Sequence, residues 1–265
     1  MNKNDSIPSN SCLPDDADPL THGYWHNGVW ESLVCRTYQW NSRNTTGHCL
    51  RNKQVFLLGD STTRQWYVEL MKLLGEDKKL SGSELEVKKK YVSQFNLTIY
   101  WHFHPWTIGL GRKFIDNLKY EVDILDEINT ESANCSDLVI VLSPWAHFTQ
   151  WKKSAYVERL ELLKYAVQRL MSRCGAGSLP FVVIRGPHSR LSGTKTPPTL
   201  LDGRDYILYK MNGIMRRTFR GVGAHYLDIW DMNMAYPSHK TIHMPAKVIR
   251  QEVSMMLSYL CNQVQ

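Results

Sequence analysis

The sequence lacks any apolar run of 18 residues, and its first 19 residues contain no apolar stretch. The chain as printed therefore holds no membrane span and no signal peptide. Long basic blocks and nucleic-acid-binding motifs are also missing, although the formal net charge is +7. The short basic runs Lys88–Lys90 and Arg216–Arg217 are typical of a solvated surface. DNA or RNA is therefore a disfavoured partner, and a weak attraction to acidic glycans stays open.

Short motifs for metal and nucleotide chemistry are absent as well. The sequence contains no HExxH, no P-loop and no GxGxxG pattern, which leaves metalloprotease, nucleotide-binding and Rossmann functions without support. None of the six cysteines forms a CxxC pair, so a zinc ribbon or a thioredoxin-like motif is disfavoured. We therefore expect no metal site and no bound cofactor.

The even number of cysteines, spread along the chain, predicts a set of disulfides. Cys35 and Cys49 flank a short loop and form the first pair we expect. Four N-glycosylation sequons favour the same oxidising compartment; they begin at Asn4, Asn44, Asn96 and Asn134. We expect a protein of the secretory pathway, in the Golgi lumen or secreted, and interpret the missing signal peptide as the mark of a truncated copy.

Apolar strands alternate with amphipathic helices after a polar segment. Residues 1–21 are rich in Asn, Asp, Ser and Pro and predict a flexible arm, whereas residues 22–265 predict a single domain. Strands are expected over 55–58, 97–103, 138–142, 181–184 and 225–229, and helices over 62–74, 152–172, 204–219 and 246–260. This alternation predicts an α/β fold with a mostly parallel sheet.

Ligands of such sheets bind at the carboxyl ends of the strands. That edge should gather Ser61, the loop Ser143–His147, the loop containing Arg185 and His188, and the segment after Asp228. Arg185 and His188 either face the resulting cleft or satisfy local carbonyl groups.

The turn Gly59-Asp60-Ser61-Thr62 joins a strand to a helix and is the best candidate for chemistry. A serine there lies at the positive end of the helix dipole, where backbone N–H groups can stabilise an oxyanion. The alternative is that Asp60 or Ser61 merely caps the helix. Serine also needs a base within hydrogen-bond reach. Of the ten histidines, His243 immediately precedes the last helix and should lie beside Ser61.

Five separated motifs together resemble the C-terminal domain of the NXPE (neurexophilin and PC-esterase) family, over roughly residues 22–262. They are the stretch Gly23–Trp30 with Cys35 and Cys49, Gly59–Trp66, Trp145–Phe148, Asp228–Met232, and Ile242–Pro245 with the closing helix to Cys261.

The resemblance implies an SGNH/GDSL-type three-layer α/β/α fold with Ser61 as nucleophile and His243 as base. It also implies that His147 helps to bind the oxyanion or the substrate, and Gly59, Asp60 and Arg64 are further candidates for that role.

Two positions depart from the family's pattern. An acidic residue usually stands three before the histidine, but here that position is Lys240, which cannot accept the His243 Nδ1–H. Asp231, Asp228 or a backbone carbonyl would then orient the imidazole. The family's second-block glycine falls near His104-Pro105, where proline lacks an N–H to donate.

The resemblance implies acyl ester chemistry on glycans through an acyl-Ser61 intermediate, by an O-acetyltransferase or an O-acetylesterase. A transferase would use an acetyl donor such as acetyl-CoA, and the partner would be a glycan or glycoprotein. Lys240 favours the alternative, a catalytically impaired extracellular binding or signalling module. A lipid esterase would need an apolar groove beside Ser61. Trp25, Trp30 and Trp40 either form a sugar platform or, as we prefer, pack around the cysteines.

Overall fold

The computed structural model describes residues 11–12, 21–76, 87–105, 118–130, 134–175, 177–189, 205–236 and 242–261. Its elements in chain order are the hairpin strands β1 (Gly23–His26) and β2 (Val29–Ser32), α1 (Arg43–Cys49), β3 (Gln54–Gly59), α2 (Ser61–Leu73), β4 (Lys88–Val92), β5 (Leu97–His102), α3 (Glu121–Glu127), β6 (Leu138–Ser143), α4 (Lys153–Ser172), β7 (Phe181–Arg185), α5 (Asp205–Phe219), β8 (His225–Leu227), α6 (Trp230–Met234) and α7 (Ala246–Leu260).

Six strands form the main sheet in the order β4-β5-β3-β6-β7-β8. All neighbours are parallel except β4, which pairs antiparallel with β5. The chain enters the sheet at β3, continues through the edge strand β4 to β5 on one side, and then crosses to β6 on the other. The predicted α/β fold with a mostly parallel sheet is confirmed, and its topological switch point lies at the carboxyl end of β3.

Two hydrophobic cores lie on opposite faces of this sheet. The alternation along β6 shows the division, because Val139 and Val141 join the core of α2 and α7, whereas Ile140 and Leu142 join the core of α3, α4 and α5. All six side chains of β6 are buried, as expected for a central parallel strand. The result is the three-layer α/β/α architecture that the family resemblance implies.

The basic runs lie in different settings. Lys88–Lys90 begins the edge strand β4, where lysines discourage further strand pairing. The prediction of a solvated run is wrong for Arg216, which is partly buried and pairs with Asp228. Neither β4 nor the β1–β2 hairpin is among the predicted strands.

Three disulfides link Cys12 to Cys35, Cys49 to Cys261 and Cys135 to Cys174. The predicted pair Cys35–Cys49 is therefore wrong. Helix α1, which ends at Cys49, packs against the closing helix α7, and this packing brings Cys49 to Cys261. The bond at Cys12 fixes one residue within the predicted N-terminal arm; residues 1–10 and 13–20 of the arm lie outside the described residues.

Three disulfides fit an oxidising compartment. Within the described ranges, no helix is long and apolar enough to cross a membrane.

Candidate active site

Ser61 is the first residue of α2, and Asp60 is its N-cap. The Asp60 carboxylate accepts hydrogen bonds from Thr62 N at 2.8 Å and Thr62 Oγ1 at 2.7 Å, and from Ala146 N at 3.2 Å. Capping is therefore the role of Asp60, which leaves the Ser61 hydroxyl available for another partner. Because the carboxylate accepts in all three contacts, only its backbone could donate to an oxyanion.

Gly59 is required by close packing at the carboxyl end of β3. A Cβ atom there would lie 2.5 Å from Thr63 Oγ1 and 3.1 Å from Ser143 Cβ. Any larger residue would therefore push α2 and β6 apart and move the neighbouring Ser61.

The partner of Ser61 is His243, whose Nε2 lies 2.8 Å from Ser61 Oγ. This distance is within the range over which a base can take a serine proton. With the imidazole neutral and its proton on Nδ1, Nε2 accepts the hydrogen bond from the hydroxyl. Ser61 and His243 therefore lie in contact, as the sequence predicts.

The residues on both sides of His243 are held by hydrogen bonds. Gln65 lies one turn after Ser61 on α2; its Nε2 donates to Met244 O at 2.7 Å, and its Oε1 accepts from Met244 N at 3.2 Å. On the other side, His188 Nε2 donates to Ile242 O at 2.7 Å. These contacts fix the backbone that carries His243 relative to the helix that carries Ser61. The second of the two roles left open for His188, satisfying a local carbonyl, is the one observed.

A buried ion pair lies beneath both residues. Arg185 and Glu252 are fully buried, and Arg185 Nη2 lies 2.8 Å from Glu252 Oε2. Arg185 Nη1 also donates to Thr62 Oγ1 at 2.9 Å, next to Ser61 in the chain. Nη2 lies 3.4 Å from His188 Nδ1, the acceptor nitrogen of the ring that donates to the Ile242 carbonyl. The network therefore connects the Ser61 turn to the His243 loop.

Asp231 and Asp228, the candidate carboxylates for orienting His243, have other partners. Asp231 Oδ2 accepts the backbone N–H of His22 at 3.0 Å and lies 2.9 Å from His22 Nδ1. Asp228 is held by Arg216, Asn212 Nδ2 and Trp230 N. The structure thus brings Asp231 to His22 instead of to His243. Lys240 lies outside the described residues.

His147, in the loop after β6, shares the electrostatic surroundings of the Ser61 turn. Burial lowers the pKa of His147; the negative Asp60 opposes this shift and the nearby His243 adds to it. Arg64 lies in the first turn of α2, where its backbone N–H donates to Asp60 O at 3.1 Å. The structure therefore places the predicted oxyanion candidates around the end of β3, whereas Asp231 and Asp228 have partners elsewhere.

The tryptophan candidates and the sequon asparagines differ in their exposure to solvent. Trp30 and Trp40 are buried in the same core as Cys49, and the half-buried Trp25 packs edge-on against Trp30, as the packing interpretation expects. The described sequon asparagines, Asn44, Asn96 and Asn134, are all exposed, whereas Asn4 lies outside the described residues.

A cavity of about 1010 Å³ opens between the loop after β6, helix α5 and the segment after β8. Its lining combines aromatic rings and basic groups, including Trp151, Tyr209, Trp230, Lys210 and Arg217. Sequence reasoning missed this cavity because its residues come from separate elements and share no sequence spacing.

Fold and site together define an α/β protein of SGNH-like architecture with a serine–histidine pair at the carboxyl edge of its parallel sheet. A match to the family described as "NXPE family member 4-like, C-terminal domain" covers residues 30–261. The chain therefore belongs to the NXPE family, through the family's C-terminal domain.

Proposed function

We propose that the protein performs serine-dependent acyl ester chemistry on glycans, as an O-acetyltransferase or an O-acetylesterase. The observation that carries this proposal is the 2.8 Å contact between Ser61 Oγ and His243 Nε2. A serine becomes a useful nucleophile when a base lies within hydrogen-bond reach, and this base is fixed through the backbone on both sides.

In the first half-reaction, Ser61 Oγ attacks the acyl carbonyl carbon while its proton moves to His243 Nε2. The tetrahedral intermediate then breaks the bond to the leaving oxygen or sulfur, which takes the proton from His243, and acyl-Ser61 remains. In the second half-reaction, water or a sugar hydroxyl attacks the acyl-enzyme and gives its proton to His243. The bond between the acyl carbon and Ser61 Oγ then breaks, Oγ takes the proton back from His243, and the free acid or the acylated sugar leaves.

Charge on the intermediate would be stabilised at the N-terminus of α2. Ser61 is the first helical residue, so its backbone N–H points from the positive end of the helix dipole. The Asp60 side chain already caps Thr62 N, so the cap holds the turn without occupying the Ser61 amide. Losing one donor of such a site typically costs about 10²–10³ in rate.

The cavity beside α5 would hold further sugar units of a glycan substrate; Ser61 and His243 are not among its lining residues. Sugars stack on aromatic faces, and Tyr209 and Trp230 line the cavity with ring centroids 5.5 Å apart. Phe148 also lines it and directly follows His147 in the chain. Its basic groups suit an acidic glycan.

The proposal also implies a cellular compartment and a source of the acyl group. A disulfide-bonded protein with exposed sequon asparagines suits the Golgi lumen or secretion. A transferase would take its acyl group from a donor such as acetyl-CoA, whereas an esterase needs only water.

The test uses mass spectrometry of a glycoprotein glycan before and after incubation with the purified chain. One arm supplies an unmodified glycan with acetyl-CoA, and the other supplies an O-acetylated glycan alone. We expect the gain of an acetyl group in the first arm or its loss in the second, and neither change with Ser61→Ala. Products that form equally with Ser61→Ala would contradict the proposal.

The second candidate is a catalytically impaired binding module on the same fold. The engagement of Asp231 with His22 favours it, because this candidate for orienting the His243 imidazole is held by another residue. This candidate predicts that wild type and Ser61→Ala bind a glycan with equal affinity and that neither changes its acetylation.

A further inference from the structure

His104 is the one histidine of the described chain whose two ring nitrogens are both buried without a hydrogen-bond partner. The side chain follows β5 and is 1% exposed. Its ring stacks on Phe103 and lies against Phe148. A phenylalanine could make these contacts without burying two polar nitrogens, which costs about 1–3 kcal/mol for each unsatisfied group. The structure therefore leaves the choice of histidine at this position without a packing explanation.

Two further ligand-type side chains lie beside His104. One ligand atom from each of Asp60, His104 and His147 lies within 4.8 Å of the other two. The three residues follow β3, β5 and β6, which are adjacent parallel strands, so their carboxyl ends meet at this point. The ligands are more than 40 residues apart along the chain, which explains why no short metal motif reveals them.

The Asp60 carboxylate has one acceptor position left for a further ligand. Oδ1 accepts two hydrogen bonds from Thr62, whereas Oδ2 accepts one, from Ala146 N. Each carboxylate oxygen can accept about two. The carboxylate is fully buried, and no lysine or arginine of the described ranges forms an ion pair with it. A buried carboxylate of this kind is stabilised by a nearby positive charge.

We propose that Asp60, His104 and His147 form a binding site for a divalent first-row transition metal ion of the Zn²⁺ type. Two imidazoles and one carboxylate are the donor set such ions prefer, with further positions open to water or substrate. Burial lowers the pKa of both histidines, a shift that favours the neutral form that binds metals. With metal–ligand distances near 2.1 Å, an ion between the three atoms would draw each inward by about 0.7 Å at most.

The surroundings resemble the outer shell of a metal site. The hydrogen bonds from Thr62 and Ala146 orient the Asp60 carboxylate, and Phe103 and Phe148 exclude water from the His104 side. The ion would bind Asp60, the residue that precedes Ser61. Its positive charge would then act where the oxyanion forms, a role that rests on the proposed function, whereas metal binding itself does not.

The test is calorimetric titration of the tag-free, chelator-treated protein with ZnCl₂, supported by visible absorption after titration with Co²⁺. We expect one ion per chain, a Co²⁺ ligand-field spectrum, and no displacement by excess Mg²⁺. His104→Phe should weaken Zn²⁺ binding by about 100-fold or more, since even outer-shell changes cost 10–100-fold. Circular dichroism should show His104→Phe folded, because the substitution removes no observed hydrogen bond.

His48→Gln is the matched control, since His48 is exposed on α1 and should bind Zn²⁺ as the wild type does. Asp60→Asn, which keeps an acceptor for the Thr62 N–H, should also lose binding. Ser61→Ala should retain full binding, which separates this proposal from the proposed catalytic function. The absence of saturable binding in the wild type, or equal affinity in His104→Phe, would overturn the proposal.

Discussion

Ser61→Ala should lower kcat/KM for an activated acetyl ester by roughly 10³-fold or more, because it removes the atom that forms the acyl-enzyme. His243→Gln should cause a loss of similar size, since it removes the base 2.8 Å from that atom. The double variant should be little worse than either single variant, because the two residues act as a unit. Initial rates with a chromogenic acetyl ester measure all three effects.

Ser154→Ala is the control for this series. Ser154 is an exposed serine in the first turn of α4, so it resembles Ser61 in type and helix position, but the serine that contacts His243 is Ser61. Its rate should equal that of the wild type. Additive losses from Ser61→Ala and His243→Gln would show that the two side chains do not act together.

Glu252→Gln and Arg185→Met should each lower the free energy of unfolding by about 3–5 kcal/mol, because each leaves an uncompensated buried charge. The two side chains are fully buried and 2.8 Å apart. Glu252 Oε2 also accepts from Trp66 Nε1 at 2.6 Å, and Oε1 accepts from Asn233 Nδ2 at 3.1 Å. Urea denaturation followed by tryptophan fluorescence or circular dichroism measures the loss.

Combining the two substitutions tests whether they share one interaction. The double variant should be less destabilised than the sum of the single variants, since it buries no lone charge. Arg169→Met is the control, because the Arg169–Asp126 pair lies at the surface and should leave the denaturation midpoint near that of the wild type. Equal losses of stability in Arg185→Met and Arg169→Met would contradict the stabilising role given to the buried Arg185–Glu252 pair.

The sequence predicts the parts of the fold that depend on local pattern. β6 is a continuous aliphatic run, and α7 repeats its apolar residues at helical spacing, so both are found close to their predicted bounds. The meeting of Ser61 and His243 could also be predicted, because parallel strands place their carboxyl ends at one edge.

Features that depend on tertiary packing could not be predicted in the same way. The Cys49–Cys261 bond requires α1 to lie against α7, which no loop length reveals. Gln65 and Glu252 are ordinary helical residues in sequence, and only the packing of α2 and α7 gives them their partners. Asp231 illustrates the opposite error, because its position after β8 suggested His243 while the neighbouring N-terminal segment supplies His22.

The most direct measurement is labelling of the intact protein with a serine-directed phosphonate probe, followed by mass spectrometry and peptide mapping. We expect one adduct per chain, on Ser61, with slower labelling in His243→Gln and unchanged labelling in Ser154→Ala. If Ser61 stays unlabelled while a control serine hydrolase reacts under the same conditions, the claim that Ser61 is an activated nucleophile is contradicted.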